Sequence, residues 1–505
     1  MPIILGPPGT GKTTRLLGLV EWFLSNGVPP DKIGFFAFTR KAAHEAINRA
    51  IVKFGLEKEQ LPYFRTLHSL AYQQLGLGRN QLMTTKHYED VSKWLKISGF
   101  VAKTGVENSP FIDFGYGDKF LELIGISRLT RKPLRDVYNR SMVPLKTDWA
   151  RVDYVDRGLR HYKKSAGLFD YTDLLEQFNA RDLAPKLEVV IVDEAQDLCS
   201  LQWEMVRLLA AKAKHVYIAG DDDQAIYRWA GADIEHFIRL DGQVEILDRS
   251  YRIPSSHHEL SQKVLSRVHS RRPKVFEPRA EQGSVQWHRH SEEVDVSSGQ
   301  WLLMARTKRG ANQLEAEVRQ RGYLYTYHNS RSIDVDVVRA VRLWEGLRSG
   351  DRATAADVRH VYKYMDLHNQ IEYGHKSMPN GKDGVYYSLS DLMTHHGLLH
   401  TLPWNEGMGR IPEADRRYLE ACFRKGEKLD DSPRITISTI HAAKGGEADN
   451  VLLLTDNSSR GFSMWRKTNQ DPEDEARVFY VGLTRSRQNL HLVHPMFSEG
   501  YHLPH

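Results

Sequence analysis

Near its start the chain reads Gly6-Pro7-Pro8-Gly9-Thr10-Gly11-Lys12-Thr13-Thr14, which matches G-x-x-x-x-G-K-[ST]. The glycines let successive backbone N–H groups curl around phosphate oxygens, and the helix that should follow adds the positive end of its dipole. Lys12 would reach the β- and γ-phosphates, and the Thr13 hydroxyl would ligate Mg²⁺. A second cluster, Asp193-Glu194-Ala195-Gln196-Asp197, follows directly on the apolar run Val189–Val192. Carboxylates at the carboxyl end of a buried strand lie where α/β sheets place ligands. Asp193 would hold the metal, directly or through water, and Glu194 would orient and deprotonate an attacking water. Taken alone, these acids could equally cap a helix; the phosphate loop favours the chemical reading.

Positioning these groups requires a scaffold, and the hydrophobic pattern supplies one. Apolar runs recur at Ile3–Leu5, Ile33–Phe38, Val189–Val192, Val216–Ala219, Val244–Leu247, Trp301–Ala305, Ile435–Ser438, Val451–Leu454 and Leu490–Val493. Continuous runs, rather than alternation, indicate strands buried on both faces of parallel sheets. Helical patterns lie between them: Leu16, Leu17, Val20, Phe23 and Leu24 follow the phosphate loop, with Gly27 as a stop. Thr39 reads as the N-cap of a helix carrying Ala42, Ala43, Ala46, Ile47 and Ala50. Strand–helix alternation means an α/β class. Residues 81–164 and 346–430 lack buried-strand signals and read as mostly helical insertions. The expected organisation is a first core of residues 1–80 and 165–248 and a second of 249–345 and 431–505, each interrupted by one insertion.

The 505 residues, 41% hydrophobic and 27% charged, exclude a disulfide mini-protein, a fibre or a disordered chain. A net charge of +6 permits a polyanionic partner without demonstrating one. Two cysteines, Cys199 and Cys422, suit a reducing, cytoplasmic compartment. No signal peptide fits the Met-Pro-Ile-Ile-Leu start, and no apolar run is long enough to span a membrane. His395, His396 and His400 lack the cysteine or acidic company of a metal site.

The acidic cluster, together with Gly220-Asp221-Asp222-Asp223-Gln224-Ala225-Ile226-Tyr227-Arg228-Trp229-Ala230-Gly231-Ala232, resembles the UvrD/Rep/PcrA family of superfamily 1 helicases. Further segments fall in that family's order. Phe36-Ala-Phe38-Thr39-Arg-Lys-Ala-Ala43 is similar to motif Ia and Thr66-Leu-His68-Ser69 to Ib. Phe169-Asp170-Tyr-Thr-Asp173-Leu-Leu175 resembles the family's D-F-x-[DE]-L-L segment. Ser250-Tyr251-Arg252 resembles motif IV, and Leu303-Met-Ala-Arg306-Thr resembles IVa. Thr439-Ile-His441-Ala-Ala-Lys444-Gly-Gly-Glu447 resembles motif V, and Tyr480-Val-Gly-Leu-Thr484-Arg485 motif VI. The set extends over residues 3–493.

The resemblance implies two RecA-like P-loop cores with ATP and Mg²⁺ between them, and an ATP-dependent DNA helicase of 3′→5′ polarity. It implies that Arg252 and Arg485 reach the γ-phosphate from the second core, and that Gln224 couples it to the strand-binding surface. Tyr251 would stack on adenine and Glu447 bind the ribose. Trp229 would stack on a base of single-stranded DNA near a duplex junction, with Tyr227 and Phe38 close by; Phe38 could equally be core. Thr39, Thr66, His68, Thr439, His441 and Lys444 would complete the strand-contacting set. Between Arg128 and Lys164 eleven Lys/Arg stand against four Asp, interleaved with Tyr138, Trp149, Tyr154 and Tyr162. That composition suits a channel for single strands, or a solvated helical face. Asp471–Glu475 would supply negative charge to the start of the motif VI helix.

Some features depart from the family pattern. Only five residues precede Gly6, so the glutamine motif that reads adenine is not seen, and GTP or another triphosphate could be accepted. Thr14 and Ala230 stand where arginines are common. The short insertions resemble phage-encoded members, which would act in a host cytoplasm. Replication or repair proteins are expected partners, and the expected state is a monomer. Rival readings are a translocase that strips proteins from single strands without unwinding, an RNA helicase, and an inactive nucleic-acid-binding module. Lys12, Glu194 and Arg485 argue against the last.

Overall fold

The computed structural model describes residues 1–97, 102–103, 113–114, 119–140, 148–375, 384–456, 472–495 and 500–504. Six strands form a first, all-parallel sheet: β1 (Ile3–Leu5), β2 (Ile33–Ala37), β3 (Phe64–Thr66), β4 (Val189–Val192), β5 (His215–Gly220) and β6 (Val244–Ile246). Their spatial order is β3-β2-β4-β5-β1-β6. Ile3 pairs with Ile218 on one side and Val244 on the other, and Val189 with Ile33 and His215. The carboxyl ends of β1, β5 and β4 are therefore neighbours, and the loops leaving them carry Gly6, Asp221 and Asp193.

Seven strands form the second sheet: β7 (Ser284–His288), β8 (Trp301–Ala305), β9 (Tyr325–Tyr327), β10 (Ser330–Arg331), β11 (Ile435–Thr439), β12 (Ala448–Leu454) and β13 (Ser486–Val493). The order is β10-β9-β11-β8-β12-β13-β7. All pairs are parallel except the β9–β10 hairpin. Strand pleating sends alternate residues to opposite faces, and the cores follow it. Ile4, Phe35 and Ile191 pack with Leu16, Val20 and Phe23 of the helix Lys12–Ser25 on one face of the first sheet. Ile3, Leu5, Phe36, Val190 and Val192 face the other way. There they join a cluster that continues into Leu302, Met304, Leu453, Phe479 and Leu490 of the second unit. One apolar mass thus runs through both sheets, so the second is packed on the first.

All nine apolar runs are strands, but Val244–Leu247 is not buried on both faces: β6 is an edge, with Val244 and Ile246 exposed. The strands β3, β7, β9 and β10 had no such signal, because they are short or alternating. Between β3 and β4 the described chain is mostly helical, and Tyr88, Val91, Leu121, Ile124, Val155 and Leu159 form a small core of their own there. Between β10 and β11 helices again dominate, apart from the two-residue pair Ala353–Thr354 with Tyr386–Tyr387. Of the basic stretch, residues 141–147 lie outside the described residues, as does Asp471. Among the described residues no helix is long and apolar enough to cross a membrane.

Candidate active site

The loop after β1 turns through Gly9 and Gly11, whose φ values of 75° and 79° are costly for residues with a Cβ. Lys12 opens the helix behind it and lies between both acids that follow β4. Its Nζ is 2.8 Å from Asp193 Oδ1 and is also bonded to Glu194. Burial works against the Lys12 charge, yet Asp193 and Glu194 hold its pKa above the ordinary lysine value. Burial also opposes ionisation of Glu194, but Lys12 and Lys444 hold it down at about 2. Asp193 moves the other way: burial, with Glu194 beside it, outweighs Lys12 and raises it. Glu194 itself sits in the left-handed region, at φ 54° and ψ 39°, a local strain that surrounding contacts must sustain. Two contacts do so: Gln196 Nε2 donates to Glu194 Oε2 at 2.6 Å, and Glu194 N donates to Asp193 Oδ1 at 2.8 Å.

The second unit closes on this loop directly. Ser250 Oγ donates to Pro8 O at 2.8 Å, and Tyr251 N donates to Gly9 O at 2.8 Å. Gly9 is indispensable to that approach, since a Cβ there would fall 2.4 Å from Arg252 Cβ and 2.8 Å from Ser250 Oγ. Arg252 is paired with Glu447. Arg485 lies deeper, its Nη2 donating to Gln224 Oε1 at 2.9 Å and its Nε to Val481 O at 2.9 Å. Burial and the like charge of Arg252 pull its pKa down to about 9. Gln224 in turn donates through Nε2 to Asp221 Oδ2 at 2.7 Å. Lys12, Asp193, Glu194, Gln224, Arg252 and Arg485 therefore belong to one connected region.

Beside the loop a cavity of about 1090 Å³ is lined by Gly11, Thr14, Arg15, Trp22, Tyr217 and Tyr251, among others. Tyr251 is 69% exposed, with its ring beside Gly11. Arg15, paired bidentately with Glu245 at 2.7 and 3.0 Å, lines the cavity one residue beyond Thr14, which stands where the family often has arginine. Thr10 Oγ1 bonds back to Pro7 O at 2.8 Å and braces the loop. For a metal, the oxygen donors of Thr13 and Asp193 flank Lys12 in sequence or contact. Mg²⁺ uses one or two protein oxygens and takes the rest from phosphates and water, so this donor set fits it.

Trp229 is half-buried, its ring centroid 5.9 Å from His441 and 6.5 Å from Tyr227. Tyr227 OH donates to His441 O at 3.0 Å, joining the two units. Phe38 is only 3% exposed and packs 5.5 Å from Tyr227; it is core, so the expected strand contact gives way to support of Tyr227 from behind. Thr39 and Thr66 accept from the backbone N–H groups of Ala42 and Ser69 and cap their helices. Thr439 accepts likewise from Ala442 N. Burial, then the charge of Arg40, brings His68 down to about 4, so it is neutral at pH 7.

Lys444 is a correction. Its sequence context suggests a DNA contact, but its ammonium is bonded to Asp197, donates to Gln224 O at 2.7 Å and lies 3.8 Å from Glu194. The buried Asp197 carboxylate, with half-buried Glu194 near it, outcompetes solvent for the charge. Burial pushes Asp197 up to about 7 even against Lys444. The acids of 472–475 do more than face a helix dipole, since Glu475 takes Arg306 in a buried bidentate pair at 2.5–3.1 Å. The basic stretch is also partly internal: Arg128 and Lys163 bind Asp170 and Asp173 at 2.5–2.8 Å. Sequence reasoning missed Ser250, Gln196, Asp221 and Lys274. Ser250, Gln196 and Asp221 stood inside the family-like motifs without a role being read for them, whereas Lys274 carried no signal.

Residues 2–245 match the UvrD/REP helicase N-terminal domain, and residues 420–494 match the UvrD-like helicase C-terminal domain. This chain belongs to the UvrD/REP helicase family, the ATP-dependent DNA helicases. A "Probable DNA helicase II homolog" of Rickettsia felis is 23% identical, the alignment covering 97% of this chain and 90% of the relative. A "Probable DNA helicase" of Mycoplasma pneumoniae is also 23% identical, over 97% of this chain and 80% of its own length. The "ATP-dependent DNA helicase PcrA" of Staphylococcus aureus is 24% identical over 54% of this chain, which spans only 39% of that protein. The two-sheet α/β architecture agrees with a UvrD/REP helicase built on two RecA-like cores.

Proposed function

We propose that this UvrD/REP helicase is a motor on single-stranded DNA of 3′→5′ polarity, driven by ATP bound between the two sheets. The reading is carried by the contact of Ser250–Arg252 with the Pro8–Gly9 turn, which brings second-unit arginines to the first-unit phosphate loop. Lys12 exchanges Asp193 and Glu194 for the β- and γ-phosphates when ATP enters. Thr13 and Asp193 would hold Mg²⁺, which would neutralise phosphate charge when bound. Freed of Lys12, Glu194 becomes a better base and orients the attacking water. Arg252 leaves Glu447 for the γ-phosphate, and Arg485 joins it there, stabilising the charge that builds on the transferring group. Tyr251 offers a face to the purine at the cavity mouth, and Glu447, once released, is placed for the ribose.

Gln224 joins that site to the strand surface, because Tyr227 follows it by three positions and Trp229 by five. Trp229 gives a flat face to a base, and His441 borders it from the other unit. Thr39 and Thr439 keep a hydroxyl hydrogen to donate to strand phosphates, since each cap uses only an oxygen lone pair. His68 and Thr66 extend the same edge. Alternate tightening of the two units would then move the strand past Trp229. ATPase turnover with and without single-stranded DNA, using ATP and GTP in parallel, tests the motor. Stimulation by DNA is expected, and its absence with both nucleotides would overturn the reading. Unwinding of partial duplexes with a 3′ or a 5′ tail tests polarity, and preference for the 5′ tail would reverse it.

A further inference from the structure

The turn that carries Gln224 is a run of three carboxylates, Asp221, Asp222 and Asp223, each no more than 1% exposed. Anions crowded together and stripped of water need compensating charge, and here it comes from the other unit. Lys274, in the segment between the helix Ser255–Leu265 and β7, brings Nζ within 2.6 Å of Asp222 Oδ1, 2.9 Å of Asp223 Oδ2 and 3.2 Å of Asp221 Oδ1. Arg271, from the same segment, grips Asp223 at 2.7 and 2.5 Å, and the Arg272 N–H donates to Asp222 Oδ2 at 2.7 Å. From the helix Pro472–Leu483, Arg477 donates to Asp222 O at 3.1 Å, while Tyr480, Arg485 just beyond the helix, and Lys444, whose ammonium donates to Gln224 O at 2.7 Å, also face this turn.

Asp221 is the link to catalysis. Its Oδ2 accepts from Gln224 Nε2, which leaves Gln224 Oε1 to accept from Arg485. An ionised carboxylate can only accept, whereas a protonated one donates. A protonated Asp221 would therefore draw Oε1 toward itself and turn the amide NH₂ against the Arg485 guanidinium, donor against donor.

We propose that Lys274 is a positioning residue for ATP hydrolysis: by neutralising the Asp221–Asp223 turn it keeps Asp221 an acceptor, and so keeps Gln224 Oε1 on Arg485. The assignment rests on the reading of Gln224 and Arg485 given above. Burial, relieved by Lys274 but reinforced by Asp223 and Asp222, already pushes Asp221 up to about 6. Loss of the lysine charge can only raise it further. Activity that needs the ionised form is lost as pH falls through the folded pKa, so the acid limb must move to higher pH.

The test is kcat of the DNA-stimulated ATPase from about pH 5.5 to 9 for wild type, Lys274→Gln, Asp221→Asn and the double variant, each checked for folding by circular dichroism. Glutamine keeps a donor near Asp222 while removing the charge. Lys274→Gln should shift the acid limb upward by about one pH unit or more, a tenfold or greater loss at a fixed pH on that limb. With Asp221→Asn in the background, removing the lysine charge should leave the limb where it was. That second comparison decides the matter even if Lys274→Gln alone fails to fold. A Lys274→Gln profile lowered but parallel to wild type, or a shift that persists in the Asp221→Asn background, overturns the assignment alone. A wild-type chain without ATPase overturns it together with the motor reading.

Discussion

Glu194→Gln should separate two events that share one side chain. Lys12 is held by Asp193 at 2.8 Å and by Glu194, so ATP must break both charge-assisted bonds before its phosphates can use the ammonium. A hydrogen bond to a charged group is worth about 1.5–3 kcal/mol. Glutamine keeps the shape but gives up most of that competition, so ATP should bind about tenfold to a hundredfold tighter. The same change removes the base, and kcat should fall by about 10²–10⁴-fold. Equilibrium titration with a fluorescent ATP analogue gives the affinity, and single-turnover hydrolysis gives the chemistry. Opposite movement of the two is the signature. If kcat stays within about threefold of wild type, Glu194 is not the base. If affinity is unchanged or weaker, the Lys12–Glu194 bond does not compete with nucleotide, and the partner-exchange picture fails.

Gly9→Ala combines a positive φ with a Cβ 2.4 Å from Arg252 Cβ. The turn and the Ser250–Arg252 segment cannot then stay in contact, so turnover should fall at least about tenfold, as when one transition-state donor is lost, while circular dichroism remains native. Wild-type kinetics would place the nucleotide elsewhere. Trp229→Ala should weaken single-strand affinity by about 1–3 kcal/mol if the ring stacks on a base, as measured by anisotropy of a labelled oligonucleotide; unchanged affinity would assign the ring to packing alone. Phe38→Ala should cost about 3–5 kcal/mol of stability in denaturant titrations, and a cost below about 1 kcal/mol would contradict its place in the core.

The parts of the site that showed in the sequence are those whose chemistry is local. A glycine-wrapped loop ending in Lys12-Thr13 has few other uses, and Asp193-Glu194 directly after Val189–Val192 is a strand end whatever surrounds it. The parallel strands of both sheets were legible because burial on both faces leaves a continuous apolar run. Short or alternating strands were not: β7 alternates, and β3, β9 and β10 are only two or three residues long; the edge strand β6 did show as an apolar run, but the fold leaves Val244 and Ile246 exposed. Phe38 shows why a motif position does not fix a role, because the end of a buried strand can point to core or cleft and only Tyr227 decides it. Lys444 and Lys274 were beyond reach for one reason. A lysine in a polar segment reads as solvated or as a phosphate ligand, yet Lys274 is buried and Lys444 half-buried because acidic turns from the other unit take their charges.

The cations assigned to the triphosphate share a property with consequences for the motor. Lys12 is held by Asp193 and Glu194, Arg252 by Glu447, and Arg485 by the side-chain amide oxygen of Gln224. On the proposed reading ATP arrival would be an exchange of partners more than a creation of new charge contacts, and the net gain per bond would be the small difference between two acceptors. Such exchange suits a machine that must release its product as readily as it binds its fuel. The displaced partners lie on both units: Glu194 precedes the turn that holds Lys444, and Glu447 follows Lys444 by three residues. Loss of the Lys12 bond frees Glu194, 3.8 Å from the Lys444 ammonium, whose pair with Asp197 bridges the two units and lies 5.3 Å from the Tyr227 ring. A change of charge at the phosphate loop can reach Tyr227 and Trp229 through that pair without any large refolding. Weakening Lys444 should accordingly reduce DNA stimulation of the ATPase more than the basal rate.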